Sequence, residues 1–453
     1  MLSQKTDTRL TAMDFVDWLA HHETPKSEWR IGTEHEKFLF HKQDFRPVAY
    51  EGENGVGALL QTLQAANQST PMMEGETIIG LKDADGGSIT LEPGGQFELS
   101  GAPLRTIHET CAETEHHLTQ MNIATEALGL GMLGVGFQPL WDRSDISWMP
   151  KGRYKIMREY MPKKGNLGLD MMLRSCTVQV NLDYENEDDM RRKFRTSLVL
   201  QPVVTALFAN SPFKNGKPSG LKSTRAHVWT DTDPDRCGVP ACVFDPNFGY
   251  EQWIDYILDV PMYFLSRSHG YVDVAGHSFR DYMKGHLDGF EGDYPVMGDF
   301  EDHITTAFPE VRLKGYLEMR GADGGNWANI CALPALWTGL LYDAQALAEA
   351  EFLASDINAD DVMHARHSAA KDALAGQIGN KPMHEVARKL LQIARGGLER
   401  RKFLNKNGKD ETMYLKSLEA IVASGKTNAD IMLEKYVNEW NEDVRQIFAD
   451  YHF

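Results

Sequence analysis

Cysteine is scarce in this chain. Five residues, Cys111, Cys176, Cys237, Cys242 and Cys331, are scattered over 453 positions with no CxxC pair. That excludes a disulfide framework and points to a reducing, cytoplasmic setting. No apolar run approaches the roughly 20 residues of a membrane span, and MLSQKTDTRLTAMDFVDWL lacks an apolar signal core. The one GKT, Gly425–Thr427, has Ala420 where GxxxxGK[ST] needs its first glycine, so a P-loop is not supported. Positive charge is in deficit: 47 Lys and Arg against 65 Asp and Glu leave a net charge of −18. Such a surface repels nucleic acid and anionic membranes, and leaves only local basic pockets for a phosphate. No internal repeat, low-complexity tract or linker divides the chain, so one domain is expected over 1–453, with 343–453 as a mainly helical layer of it.

What the chain does carry is carboxylate at strand spacing. Residues 79–101, IGLKDADGGSITLEPGGQFELSG, hold two runs of strand character, 88–91 and 96–100, around Pro93, Gly94 and Gly95. That corner lets the backbone turn sharply and approach a neighbour closely. Glu92 follows Leu91, and Glu98 stands between Phe97 and Leu99, so each points to water or into a polar cavity. In WRIGTEHEKFLF, Glu34 and Glu36 share one parity and His35 takes the other. Two carboxylates side by side repel unless a cation lies between them. Thr177, Gln179, Asn181 and Asp183 alternate with Cys176, Val178, Val180 and Leu182, which reads as a half-buried strand with an amide-bearing face. In RLKGYLEMRGADGG, Glu318 and Arg320 share a face; in TRAHVWTD, Arg225 and His227 share a parity. The plainer readings are a solvated edge strand, a surface hairpin and a surface ion pair.

Helices are expected over 8–22, 55–66, 190–210 and 250–265, from a Thr106–Glu109 capping box to about Leu128, and from Pro334 onward. Residues 133–139 suggest a glycine-rich strand. The basic stretch 143–170 reads as mostly solvated, and 266–300 as an irregular, mobile surface segment.

Glu34, Glu36, Glu92, Glu98 and Glu318 are hard oxygen donors with no matching His or Cys set, which suits Mg2+ or Mn2+ over zinc. They exceed the needs of one ion, so two or more ions bridging a polyphosphate follow. Arg225 and Arg320 can bind oxyanions bidentately. The leading chemistry is ATP-dependent phosphoryl transfer. A metal-dependent hydrolase is the competitor, disfavoured by the arginine pair and the lack of metal-binding histidine motifs.

The segments RIGTEHEKF, SITLEPGGQFELSGAP, GVGFQP, MPKGRYKIM, MMLRSCTVQVNLD, FANSPF, VWTDTDPDR and YLEMRGADGG closely resemble the plant-type glutamate–cysteine ligases, found in plants and proteobacteria, over about residues 29–342. The resemblance implies an α+β fold: a curved antiparallel sheet forming a funnel, with helices outside, as in glutamine synthetase. It implies ligation of glutamate to cysteine through γ-glutamyl phosphate, with ATP as co-substrate; a cytoplasmic monomer or homodimer that binds neither nucleic acid nor membrane is expected. It makes the five glutamates the magnesium ligands, Gln179 and Asn181 holders of the substrate, and Arg225 and Arg320 the substrate and phosphate contacts. Another carboxylate–amine ligase on the same scaffold would differ only in its acceptor pocket. The regulatory cysteine pair of the plant enzymes has its matching positions here at Val274 and Gly289, so no dependence on that disulfide is expected.

Overall fold

The computed structural model describes residues 9–268 and 270–453. Met1–Thr8 and His269, which fall within the amino-terminal and 266–300 readings, lie outside the described residues. Nine strands, β1 (Ile31–His41), β2 (Thr70–Glu74), β3 (Thr77–Lys82), β4 (Ser88–Leu91), β5 (Phe97–Ser100), β6 (Leu130–Leu133), β7 (Thr177–Leu182), β8 (Val311–Leu313) and β9 (Leu317–Asp323), make one sheet. Their order is β8-β9-β7-β1-β5-β4-β3-β2, with β6 joined to the second half of β1, and every pairing is antiparallel.

Period-two patterning places the core. Along β1, buried and half-buried residues alternate from Ile31 to Glu36. Ile31, Val178, Val180, Leu182, Leu317 and Met319 point away from the polar face and pack in one apolar cluster with the helices Glu187–Leu207 and Trp327–Leu341. A second cluster joins Leu91, Phe97 and Leu99 to the helices Val56–Asn67 and Ile107–Ala127. Each fully buried aliphatic side chain contributes about 1.5–3 kcal/mol, so burial of one face sets which side of the sheet faces helices. The Thr106–Glu109 box forms in both directions: Glu109 N donates to Thr106 Oγ1 at 3.2 Å, and Thr106 N donates to Glu109 Oε2 at 2.9 Å. No described helix is long and apolar enough to cross a membrane.

Several elements differ from the local pattern. Residues 168–174 form a helix before β7 begins, and no strand forms over 134–139: β6 lies earlier and shares only Leu133 with the expected stretch. Arg225 and His227 lie on the short helix Thr224–Val228, so their shared parity has no meaning. The Trp327–Leu341 helix starts seven residues before Pro334, because the Asn326 side chain caps it by accepting from Asn329 N. The 266–300 segment holds part of a β-hairpin (Phe264–Arg267 with Gly270–Asp273) and the helix Phe279–Met283. All five cysteines are free, and the Cys111 thiol, pushed up by burial and by the neighbouring Cys331 thiol, sits in the core between two helices.

The helices Trp327–Leu341 and Met383–Arg401 cross at Gly339 and Gly397. A Cβ on Gly397 would fall 1.8 Å from the Gly339 carbonyl oxygen, a backbone atom that cannot rotate away. Replacing a helical glycine by alanine normally stabilises by about 1 kcal/mol. Overpacking costs about 1–3 kcal/mol and dominates against backbone. Gly397→Ala therefore unfolds at lower urea than the parent with an unchanged slope; an equal or higher midpoint would contradict the close crossing.

Candidate active site

Antiparallel register lines up the polar face in rows, because directly opposed residues point to the same side of a sheet. One row runs Arg312–Glu318–Asn181–Gly32, the next Gln179–Glu34–Ser100–Ser88, and the next Glu36–Glu98–Thr90–Gly80. Glu92 stands just beyond β4, where Glu92 N bonds Gln96 O at 2.9 Å and closes the Pro93–Gly94–Gly95 corner. Gly95 has φ +81°, and a Cβ on Gly94 would meet the Leu173 carbonyl oxygen at 2.5 Å, so the corner needs both glycines. Gln96 pins it to the 168–174 helix, donating to Met172 O at 3.1 Å and Ser175 O at 2.9 Å. In β9 the pairing with β7 shifts between Met319 and Ala322, a bulge that carries Arg320 at its edge.

These rows border a cavity of about 500 Å³. Glu34, Glu36, Glu92, Glu98, Gln179, Arg225 and Arg320 all line it; Asn181 and Glu318 lie behind the lining. Glu34 accepts from Gln179 Nε2 at 3.1 Å and from Asn181 Nδ2 at 2.7 Å. Glu36 accepts from Thr177 N at 2.9 Å, and Glu98 from Thr90 Oγ1 at 2.5 Å. Arg320 Nη1 donates to Gln179 Oε1 at 2.7 Å and to Glu318 Oε2 at 2.6 Å. Arg225, 4% exposed, donates to Arg320 O at 2.9 Å.

The carboxylates divide into two electrostatic kinds. Burial, then the charges of Glu98 and Glu92, push Glu36 well above the ordinary carboxylate range. Burial, then Glu92, raise Glu98. Glu34 is raised by burial, against the pull of Lys314 and the amide of Asn181. Glu318 is the opposite case: burial opposes its charge, yet Arg312, Lys314 and Arg320 together hold it well below the usual range. Its contacts are 2.8 Å to Arg312, 2.8 Å to Lys314 and 2.6 Å to Arg320. Glu318 is thus an ion-cluster centre, its charge already met by three cations. As the side chains stand, no three Asp, Glu, His or Cys among the described residues converge to enclose an ion.

The cavity also draws on residues outside the strand pattern. Arg153 and Tyr154 reach it from the helix Gly152–Tyr160, so the basic stretch is not simply solvated. Asp302, from the helix Met297–Ile304, and Thr305 and Thr306, which follow it, close another side. Arg312 and Lys314 had a visible signal, since Arg312 directly opposes Glu318 across a short turn. Arg366, in the carboxy-terminal helical layer, reaches a small adjoining space beside Arg225 and Arg320, paired to Glu310 at 2.7 Å.

A family model described as glutamate-cysteine ligase family 2 matches residues 30–450. The chain is 51% identical over 441 residues to the chloroplastic glutamate–cysteine ligase of Nicotiana tabacum, covering 97% of this chain and 83% of that one. It is 50% identical over 441 residues to the chloroplastic enzyme of Arabidopsis thaliana, covering 97% and 83%. Among solved structures, the glutamate–cysteine ligase of Francisella tularensis in complex with AMP superposes with a TM-score of 0.54 at 13% identity, over 93% of this chain and 89% of that one, a likeness of fold. The α+β class expected from the sequence therefore stands. The cytoplasmic expectation is corrected: the curated relatives named here are chloroplastic enzymes. Sparse, unpaired cysteines report a reducing environment and do not distinguish one such compartment from another. With the match spanning nearly its whole length and half its residues shared with these relatives, the chain belongs to glutamate–cysteine ligase family 2.

Proposed function

We propose that this chain joins the γ-carboxylate of L-glutamate to the amine of L-cysteine, driven by ATP, giving γ-glutamylcysteine, ADP and phosphate. Membership of the ligase family over residues 30–450 carries the reading. The pairing of an acidic and a cationic half within one cavity supports it. A carboxylate is a poor electrophile; once its oxygen has taken the terminal phosphoryl group of ATP, phosphate becomes the leaving group. The cysteine nitrogen then attacks the acyl carbon, loses a proton, and phosphate departs. The protein supplies no covalent nucleophile; it orients the reactants and answers charge. Arg225 and Arg320 face the oxygens on which negative charge grows. Gln179 links the halves, its amide nitrogen on Glu34 and its oxygen on Arg320. Asn181 holds Glu34 from behind.

The oxygen-only donor set fits magnesium, with manganese as the alternative, and a divalent cation would offset both the burial that chiefly raises Glu36 and Glu98 and the carboxylate repulsion that adds to it. Glu36, Glu92 and Glu98 would hold it, with Glu34 adjoining, and when bound it would neutralise phosphate charge. Glu318, expected from the sequence as a ligand, serves in this reading to fix Arg312, Lys314 and Arg320.

ADP release measured across amines tests the reading. It is expected only with glutamate and cysteine both present; release with either alone indicates hydrolysis, and a better acceptor than cysteine indicates a sister ligase. Glu98→Gln separates charge from shape. Activity is expected to fall roughly a hundredfold or more. Stability should move the other way. The native pKa of Glu98 is raised, so its contribution is best below the unfolded value of about 4.3 and is lost as pH rises through the native value. In metal-free buffer Glu98→Gln is therefore more stable than the parent at neutral pH, and the advantage disappears near pH 4. A variant active at limiting magnesium, or no more stable at pH 7, contradicts the assignment. Arg225→Lys keeps the charge and loses the planar fork; turnover is expected to drop about a hundredfold with an unchanged melting temperature. Parental kinetics would remove Arg225 from the site.

A further inference from the structure

Away from this cavity, a second concave region of about 270 Å³ lies at the ends of strands and helices. Lys26 comes from the 3-10 turn Lys26–Glu28, Arg105 from the turn before the Ile107–Ala127 helix, and Arg400 and Arg401 from the last turn of Met383–Arg401. The helix dipole accounts for basic residues at a helix end. It does not account for two further cations arriving from distant segments in a chain of net charge −18.

The floor is aromatic and rigid. Trp29 and Tyr342 are buried, with ring centroids 4.5 Å apart, and Phe403 is half-buried beside them. The Tyr342 hydroxyl accepts from Asp183 N at 2.6 Å, which ties this floor to the end of β7. The cations lie over these rings: Lys26 is 5.5 Å from the Trp29 centroid, and Arg105 and Arg401 are 5.4 and 4.9 Å from that of Phe403. Ring faces hold long side chains in place and lower the cost of ordering them around a ligand.

Charge is only half met. Arg400 directs Nε and Nη2 to the same oxygen of Asp343, at 2.9 and 2.7 Å, and Arg401 pairs with buried Glu411 at 3.0 Å. Among the described residues, neither Lys26 nor Arg105 has a carboxylate partner, so four cations stand against two carboxylates. Two surplus charges from separate segments, over an aromatic floor, suit an anion carrying more than one charge.

We propose that this basket is a second, non-catalytic site for a small phosphorylated molecule, recognised through its phosphate oxygens by Lys26, Arg105, Arg400 and Arg401. The volume suits an inorganic polyphosphate, a sugar phosphate or the phosphate end of a nucleotide, and these share the same charged group. The assignment is independent of the ligase reading, since no residue of the basket lines the larger cavity.

Calorimetric titration of the intact chain with sodium tripolyphosphate tests it. Two binding events are expected. The exposed pair Lys26→Ala with Arg105→Ala should weaken one by about tenfold for each cation removed, leaving turnover and the melting temperature unchanged. Arg320→Ala should remove the other. A single event abolished by Arg320→Ala, two events untouched by the Lys26/Arg105 variant, or equal suppression by sodium chloride at the same ionic strength would each overturn the proposal. Competition by AMP against inorganic pyrophosphate then identifies the source: stronger displacement by AMP assigns a nucleotide, the reverse an inorganic or sugar phosphate.

Discussion

The register of β1 against β5 and β7 is the constraint on which the site depends. Side chains alternate with period two, so a slip of one residue would exchange Glu34 and Glu36 for Thr33, His35 and Lys37 along the whole cavity wall. The opposite face prevents the slip. Ile31, Val178, Val180 and Leu182 are fully buried against helices, and shifting one strand would send that apolar surface into a polar cavity. Lys37, equally buried, donates to Phe97 O at 3.3 Å and lies 2.9 Å from His117, contacts available only in this register. The core is therefore what aims the carboxylates.

Strand parity was legible from the residues because it is local. EHEKF, TVQVNLD and YLEMR each showed which side chains share a face, and the structure keeps those faces. Cross-strand partners between distant segments were not legible: β1 with β7 and β7 with β9 pair residues more than a hundred positions apart. Glu318 read as one of five equivalent carboxylates, although the short turn between β8 and β9 already set Arg312 opposite it. Arg153 and Asp302 were missed for a related reason: each reaches the cavity from a short helix whose local composition looks like ordinary solvated surface. Arg225 was found for the wrong local reason. Its strand parity does not exist, and what aims it is the Ser223 cap, whose hydroxyl accepts from Ala226 N at 2.9 Å.

The carboxy-terminal helices read as a layer of the domain, and Arg366 gives that layer a place beside the cavity. The arginine is 7% exposed and joins Glu310 beneath Arg225 and Arg320. Glu310 O also accepts from Arg320 N at 3.1 Å. A buried cation without a partner is costly, so this pair lets the helical layer approach two site arginines without adding an uncompensated charge.

Sheet rows also sort charge. In the first, one buried carboxylate, Glu318, sits among Arg312, Lys314 and Arg320, leaving that end positive. In the third, Glu36 and Glu98 face each other with Glu92 adding to the repulsion, leaving that end negative. The middle row, Glu34 with Gln179, is held by amides that bond in both directions. Neither end is stable by its own contacts: the acidic end favours a cation, and the basic end an oxyanion. In the proposed reaction a polyphosphate carrying a divalent ion would satisfy both at once, which neither glutamate nor an isolated metal would. The sheet thus holds unfavourable charge at both ends of one cavity, and in the proposed reaction that polarity would orient a substrate whose own charge is divided in the same way.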